Sequence, residues 1–513
     1  MYDSAEEQSK STSLFGTDLY AEIFSGKEGS GSVLIPDEML QHYRSQDSSS
    51  PSSGSPTVRQ ELTHEAQQVP QAALAGCSVD EQGRPYPTRP LNLRETGLAP
   101  GNIQALELKL LYLHGILPAT EFSRHLCLPF SVIDESLQFL KDEKCVMVNK
   151  AEQLGRVTYE YTLTELGRLR AREAFDQCKY IGPAPVPIES YIELCKAQAV
   201  AGSECSAEAL REAFSQLVIS PKLLQQLGPA VCSGRSIFIY GPPGNGKSSI
   251  AKGLGYFLNA HGGDIYIPYA IEADGAIITM FDPTVHQLSQ QTVSTGEQKS
   301  GLRMLDEHNV DPRWRRIRRP VIITGGELSL EMLELRYDAT GNYYQAPMHV
   351  KANGGVFLLD DFGRQLVSPK DLLNRWILPL EERIDFLTLV TGKKITVPFE
   401  QMIIFSTNLD PRELVDEAFL RRIRHKIPIS SPDKELFSQI FQLVCHQNNT
   451  AFCPEAVDYL FETYYSQGKP PRSSDPRDLV EIAESICRYN RQPFQLSVPL
   501  IAESSKRFFC ELY

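Results

Sequence analysis

One stretch limits this chain's fold more than any other: Ser233-Gly-Arg-Ser-Ile-Phe-Ile-Tyr-Gly-Pro-Pro-Gly-Asn-Gly-Lys-Ser-Ser-Ile-Ala-Lys-Gly-Leu254. SIFIY (236–240) is a short apolar run of strand type, and SIAKGLGYFLNA (249–260) has helical spacing. Between them Gly241-Pro242-Pro243-Gly244-Asn245-Gly246-Lys247-Ser248, followed by Ser249, fits G-x-x-x-x-G-K-[ST] in its confirming context of strand, loop and helix. Glycines let backbone N–H groups curl around phosphate oxygens. The helix N-terminus adds partial positive charge. Lys247 is expected to reach the outer phosphates of a nucleotide, and the Ser248 hydroxyl to ligate Mg²⁺. A strand that feeds such a loop belongs to a parallel α/β sheet, and from about residue 229 strand and helix patterns alternate.

A second stretch, Gly354-Gly-Val-Phe-Leu-Leu-Asp-Asp-Phe-Gly363, ends an apolar strand in two adjacent carboxylates. Side by side, like charges at a buried strand end repel and resist desolvation. A divalent cation and the loop lysine offset that cost. Asp360 is therefore expected to hold Mg²⁺ and Asp361 to polarise the attacking water.

IIFSTN (403–408) is another apolar strand with a polar end, and FLTLVTGKKITVPF (386–399) reads as a β-hairpin around Gly392. With the two motifs above, these stretches resemble the AAA+ ATPase superfamily. ANGGVFLLDDFGRQLVSPKDLLNRWILPLEERIDF (352–386) is most similar to its MoxR-like and enhancer-binding-activator branch. The resemblance covers about 229–513. It implies binding and hydrolysis of ATP with Mg²⁺, and makes Asn408 the residue that orients the water together with the strand acid. It makes Arg421 and Arg424, in LVDEAFLRRIRHKIPI (414–429), the arginines that reach a neighbouring subunit's γ-phosphate, and Arg477, in SSDPRDLVEIA (473–483), the lid arginine that senses it. Arginines acting in trans imply a homo-oligomeric ring, expected to be a hexamer. In that branch the hairpin faces the ring pore, and the task is remodelling of a protein client; a plain extension of the sheet is the other reading of the hairpin. Adenine is preferred through the resemblance alone; no Asn-Lys-x-Asp guanine signature occurs.

The sequence departs from the family at Asp361, where most AAA+ hydrolases have Glu. Its shorter reach puts the hydrolysis rate in question, and a slow nucleotide switch or scaffold is one alternative. The span 262–350 is also longer than the family norm. DIYIPYAIEADGAIITMFD (264–282) reads as two strands joined at Ala273-Asp-Gly275, and a polar run, HQLSQQTVSTGEQKSG (286–301), follows. RWRRIRRP (313–320) then holds five arginines in seven residues. Two readings stand for it: a grip on an acidic partner or nucleic acid, with Trp314 stacking on a base, or a solvated loop edge paired with local acids. His286 reads as structural.

The fold class expected is α/β: a P-loop AAA+ core over 229–430, with helices on both faces of a parallel sheet, and a helical lid over 431–513. A linker and approach helix over 177–228 precede the core. Before it, helix, helix, helix, hairpin and helix patterns over 100–176 resemble a winged-helix domain. Its nine basic side chains face eleven acids, and Asp134 and Glu135 sit where a groove reader carries basic or amide groups. Nucleic acid is thus a disfavoured partner, though a DNA-linked helper ATPase is retained as the second alternative. Residues 1–99 read as a disordered tail, with RSQDSSSPSSGSPT (44–57) offering no apolar face; within it Leu14–Tyr43 reads as a collapsed stretch or a docking peptide.

The net charge of −13 argues against a general nucleic-acid coat. No run of 18 apolar residues spans a membrane. Eleven scattered cysteines without a CxxC pair read as reduced thiols, and the chain is expected in the cytoplasm.

Overall fold

The computed structural model of the 513-residue chain describes residues 76–80, 83–150, 156–200, 205–289, 309–414 and 417–509. Readings that fall on 1–75 and most of the polar run at 286–301 lie outside the described residues.

The fold is α/β, built on five parallel strands: β1 (Ile237–Tyr240), β2 (Val321–Thr324), β3 (Val356–Leu359), β4 (Met402–Thr407) and β5 (His425–Pro428). Their order across the sheet is β2-β3-β4-β1-β5. Strands covered on both faces need near-continuous apolar runs, as IFIY, VFLL and MIIF provide. Alternate residues part to opposite sides. Ile237, Ile239, Val356, Leu358 and Ile404 pack with Leu254, Phe257 and Leu258 of the Lys247–His261 helix. Phe238, Phe357, Leu359 and Phe405 pack on the other side with Leu372, Leu373 and Trp376.

Between β1 and β3 the chain builds a second β-layer rather than one hairpin. Ala270–Ala273 and Ala276–Thr279 form the expected hairpin through Asp274 and Gly275, both at positive φ, and Tyr343–Gln345, Arg336–Asp338 and Val186–Pro187 extend that sheet to five strands. Ile265–Pro268 is a further strand, paired with Trp314–Ile317. The hairpin Ile384–Thr388 with Lys394–Pro398 is present where expected, around Gly392. Its Leu387, Leu389, Ile395 and Val397 share one core with Ile271, Ile278 and Ile317 of the second layer.

The arginine run is divided: its two ends lie inside this layer, which neither sequence reading foresaw, while its middle reaches solvent. Arg313 is 4% exposed and Arg319 is 7% exposed. Arg313 ion-pairs with buried Asp311 at 2.8 Å and donates to the Thr96 and Pro185 carbonyls. Arg319 donates to the carbonyls of Gly262, Gln198 and Gly354. Trp314 is buried, so it offers no face to a base. Arg316, paired with Asp264 at 2.9 Å and half-exposed, and Arg318, also exposed, behave as a solvated edge. His286 is structural as expected: it is buried, Nδ1 accepts the Asp282 amide, and Nε2 lies 2.9 Å from the Lys351 carbonyl.

Helices Pro100–His114, Ala119–Leu126, Phe130–Asp142 and Glu165–Gln177 pack around an antiparallel sheet ordered Ile116–Pro118, Glu160–Leu163, Val146–Lys150. Phe122, Ile133, Leu137 and Tyr161 are fully buried in its core. Asp134 is engaged with Arg156 at 3.1 Å. The tail read as reaching residue 99 carries structure within its described part: Cys77–Val79 pairs with Pro85–Pro87, and Thr88 bridges to Val310. At the other end, helices Lys434–Gln447, Pro454–Leu460, Asp475–Tyr489 and Val498–Phe508 bury Phe437, Phe441, Leu479 and Ile501 among themselves. Among the described residues no helix is long and apolar enough to cross a membrane.

Candidate functional site

β1 ends at Tyr240, and the chain turns through a loop that only glycine allows at its key points. Gly241 has φ 141°, and a Cβ there would lie 2.1 Å from the Ile429 carbonyl oxygen, where β5 ends. Gly244 has φ 82°, and a Cβ there would press on Ser474 Oγ at 2.8 Å. The helix then starts at Lys247, and its first-turn amides have no partners within the helix.

The sequence-predicted residues of three strands meet here. Ser248 Oγ donates to Asp360 Oδ1 at 2.7 Å. The Asp361 amide also donates to Asp360 Oδ1, at 3.2 Å, and Asn408 Nδ2 donates to Asp361 Oδ1 at 3.0 Å. Lys247 Nζ folds back on its own loop, donating to the carbonyls of Gly241 (3.0 Å) and Pro242 (2.9 Å). Burial lowers the Lys247 pKa below the ordinary lysine value, while Asp361 and Asp360 act in the opposite sense. The turn after β3 is fixed to β4. Phe362 donates its amide to the Ser406 carbonyl and accepts Thr407 Oγ1, both at 2.7 Å. That turn holds Asp361 at φ 50°, a left-handed conformation uncommon outside glycine. All of this lies at the carboxyl ends of parallel strands, where open α/β sheets place their ligands.

A cavity of about 730 Å³ opens above this line. Pro243, Gly244, Asn245, Gly246, Lys247, Ser248 and Ser249 form its floor, with Asp361 and Asn408 beside them. Its apolar walls come from residues that sequence reasoning left unassigned: Val218, Ile219 and Leu223 from the approach segment, and Leu436, Ile440 and Leu443 from the C-terminal helices. The signal for the latter was present. Leu436, Ile440 and Leu443 recur at i, i+4 and i+7, a second apolar stripe beside the buried Phe437, Phe441 and Val444.

Also unforeseen is a direct bond between loop and C-terminal helices. The Ser473 amide donates to Asn245 Oδ1 at 3.0 Å, and the Ser474 amide to the Gly244 carbonyl at 2.9 Å. Asn245 is 4% exposed, and its Nδ2 is a buried donor without a partner.

Arg477 also lines the cavity, but its side chain is 65% exposed and leans on Asp478 (3.4 Å) and Glu481 (3.8 Å). Arg421 and Arg424 are not brought to this site. They precede β5, whose His425 pairs in register with Ile237 at the start of β1, whereas the loop follows the end of β1. The length of a four-residue strand, about 13 Å, separates them from the chain's own phosphate loop.

A family model described as a domain of unknown function, DUF8689, matches residues 433–506, the C-terminal helices. Among solved structures, the chain is similar to the RuvB Holliday junction branch migration motor of Thermotoga maritima, at 11% identity over 59% of this chain and 70% of that one, with a TM-score of 0.31. Domain III of the Thermotoga maritima replication initiation protein DnaA matches at 12% identity over 60% of this chain and 99% of that one, TM-score 0.32. NtrX from Brucella abortus matches at 13% identity, 72% and 60% coverage and TM-score 0.32. Likenesses this distant leave the function to be argued from the residues themselves.

Proposed function

We propose that the chain is an ATPase of the AAA+ type that binds ATP with Mg²⁺ in the 730 Å³ cavity and hydrolyses it. The observation that carries this reading is the hydrogen-bonded line Ser248–Asp360–Asp361–Asn408 beside Lys247 on a glycine loop. The residues fit such a ligand. Ser248 and Asp360 present two hard oxygen donors in contact, as a Mg²⁺ site requires, and the unpartnered Asn245 Nδ2 is a spare donor in the loop. Mg²⁺ held there would neutralise charge on the outer phosphates. Lys247, released from the Gly241 and Pro242 carbonyls, is positioned to contact those phosphates. Asp361 accepts a proton from, or orients, the attacking water, and Asn408 fixes the Asp361 carboxylate. Leu436, Ile440 and Leu443, with Val218 and Ile219, suit a flat apolar base.

Arg421 and Arg424 are proposed to act on a second copy's phosphates, a role supported by their distance from the chain's own loop; it implies a ring, of six by family resemblance. Remodelling of a protein client is the task proposed for it, as in MoxR-like ATPases. One apolar face of the hairpin is packed on the second layer; what it offers for gripping a client is Val390 at its tip, 69% exposed, and Phe386 on its outer face, 39% exposed. The 100–176 segment is assigned a winged-helix-like role in protein contacts. A DNA-linked role has less support, with Arg313 and Arg319 engaged internally. A slow switch is the second reading, favoured by Asn408 holding the short Asp361.

The test is ATP binding and Mg²⁺-dependent turnover by the purified chain, wild type and Asp361→Asn. Binding with turnover that collapses in the variant supports the proposal. Absence of adenine-nucleotide binding overturns it.

A further inference from the structure

The turn that carries the two acids is held by a side chain outside the line Ser248–Asp360–Asp361–Asn408. Asp360 and Phe362 are each tied to a neighbouring strand. The Asp360 amide donates to the Thr324 carbonyl at the end of β2, at 2.8 Å, and Phe362 is bonded to Ser406 and Thr407 of β4. Asp361 lies between them at φ 50°, outside the regions a non-glycine residue favours.

The angle φ is rotation about the bond from the Asp361 nitrogen to its Cα, so it depends on how the rigid peptide joining Asp360 to Asp361 is turned. That peptide has two polar ends. Its N–H donates to Asp360 Oδ1 at 3.2 Å, the long end of the hydrogen-bond range. Its carbonyl, that of Asp360, accepts Gln365 Nε2 at 2.9 Å. The same carboxamide accepts the Gly363 amide through Oε1 at 2.8 Å. Gln365 thus spans the turn from Asp360 to Gly363, taking up the two main-chain groups that a β-turn would pair with each other. Gln365 is half-buried, and its neighbours are anchored. The Arg364 amide donates to the Asp361 carbonyl, and the Leu366 amide to the Gly326 carbonyl in the loop after β2, both at 3.0 Å.

We propose that Gln365 is a positioning residue for Asp361: by fixing the 360–361 peptide it keeps the Asp361 carboxylate on Asn408 and at the cavity. This assignment rests on the ATPase reading. With both ends of its carboxamide spent on main chain, Gln365 acts through Asp361 and does not meet the attacking water itself. Without it, the Asp360 carbonyl and the Gly363 amide are free to pair directly, which turns the peptide and carries the carboxylate with it. A shift of about 1 Å at a reacting group costs about 10²-fold in rate.

The experiment measures ATP turnover and equilibrium ATP binding for the full-length wild type and for Gln365→Met, which keeps the side chain's length and removes both bonds. Turnover lower by about tenfold or more, at an unchanged ATP Kd, is expected. In an Asp361→Asn background the same change should have little effect on the residual turnover, because the group it positions is already disabled. A merely structural role would lower turnover by the same factor in both backgrounds, or raise Kd with it. Either of those results, or a Gln365→Met chain as active as wild type, overturns the assignment. So does a fully active Gln365→Glu, whose carboxylate has no donor for the Asp360 carbonyl. A wild type without ATP turnover removes the ATPase reading and this assignment together, whereas an active wild type beside an equally active Gln365→Met removes the assignment alone.

Discussion

Arg313→Ala separates a structural arginine from a functional one within the same run. Arg313 and Asp311 are both nearly inaccessible, at 4% and 2% exposure. The guanidinium donates through Nε to both Asp311 oxygens (3.2 and 3.0 Å), lies 2.8 Å from Oδ2 through Nη2, and donates through Nη1 to the Thr96 (3.1 Å) and Pro185 (3.2 Å) carbonyls. Truncation strands a buried carboxylate, which costs about 3–5 kcal/mol. Two carbonyls also lose a donor, at roughly 0.5–1.5 kcal/mol each. The loss is then about 4–8 kcal/mol, comparable to the whole stability of about 5–15 kcal/mol typical of a domain. Arg316→Ala removes an ion pair whose arginine is half-exposed and costs about 0.2–1 kcal/mol. Arg313→Met with Asp311→Leu removes both charges and should recover most of the loss, because an apolar pair replaces a buried ion pair at little cost. Urea unfolding of the full chain reads all three. An Arg313→Ala midpoint close to wild type, or an Arg316→Ala loss as large, would refute this reasoning.

Asp361→Asn should lower ATP turnover by about 10²–10⁴ at unchanged nucleotide affinity, whereas Asp361→Glu, one methylene longer, should raise it; steady-state turnover beside equilibrium binding checks both. Gly241→Ala sets a Cβ 2.1 Å from the Ile429 carbonyl and should abolish ATP binding by displacing the loop, read by fluorescent-nucleotide titration. Burial alone would raise the Asp282 pKa, but the Lys351 ammonium at 2.8 Å and the Thr284 hydroxyl and amide outweigh it and hold it at about 2. With the folded value below the unfolded value of about 3.9, its stabilisation is complete above that pH and is lost as pH falls toward about 2. Asp282→Asn should flatten the stability profile across that window, and an unchanged acid limb counts against the assignment.

What could be read from the sequence was local. The glycine loop between β1 and its helix, the acid-tipped β3, the polar end of β4 and both hairpins are contiguous patterns, and period and turn chemistry suffice for them. The cavity walls were not legible because Val218 and Leu436 lie more than 200 residues apart and meet only when the sheet forms between them. The loop's bonds to the Ser473 and Ser474 amides were hidden for a different reason: backbone donors leave no trace in side-chain pattern. The strand pair Cys77–Val79 and Pro85–Pro87 escaped notice because strands of three residues carry too little periodicity to register, and the Thr88–Val310 bridge that anchors it is long-range.

The arginines make the same point about charge. Density in sequence ranked 313–319 as the surface to watch, yet the partner each guanidinium meets sorts them differently. Arg313 and Arg319 end on main-chain carbonyls at junctions between segments, and those carbonyls need a long donor where no ladder reaches them. Such arginines fix the second layer in place and leave nothing for a ligand. Arg316 and Arg477 meet carboxylates in solvent, where a pair has little strength. Arg235 and Arg424, just before β1 and β5, line a recess with Arg383, Arg421 and Arg422, Arg424 exposed and Arg235 part-buried. The partner and the burial of each guanidinium, rather than the abundance of charge in the sequence, therefore decide what an arginine does in this fold.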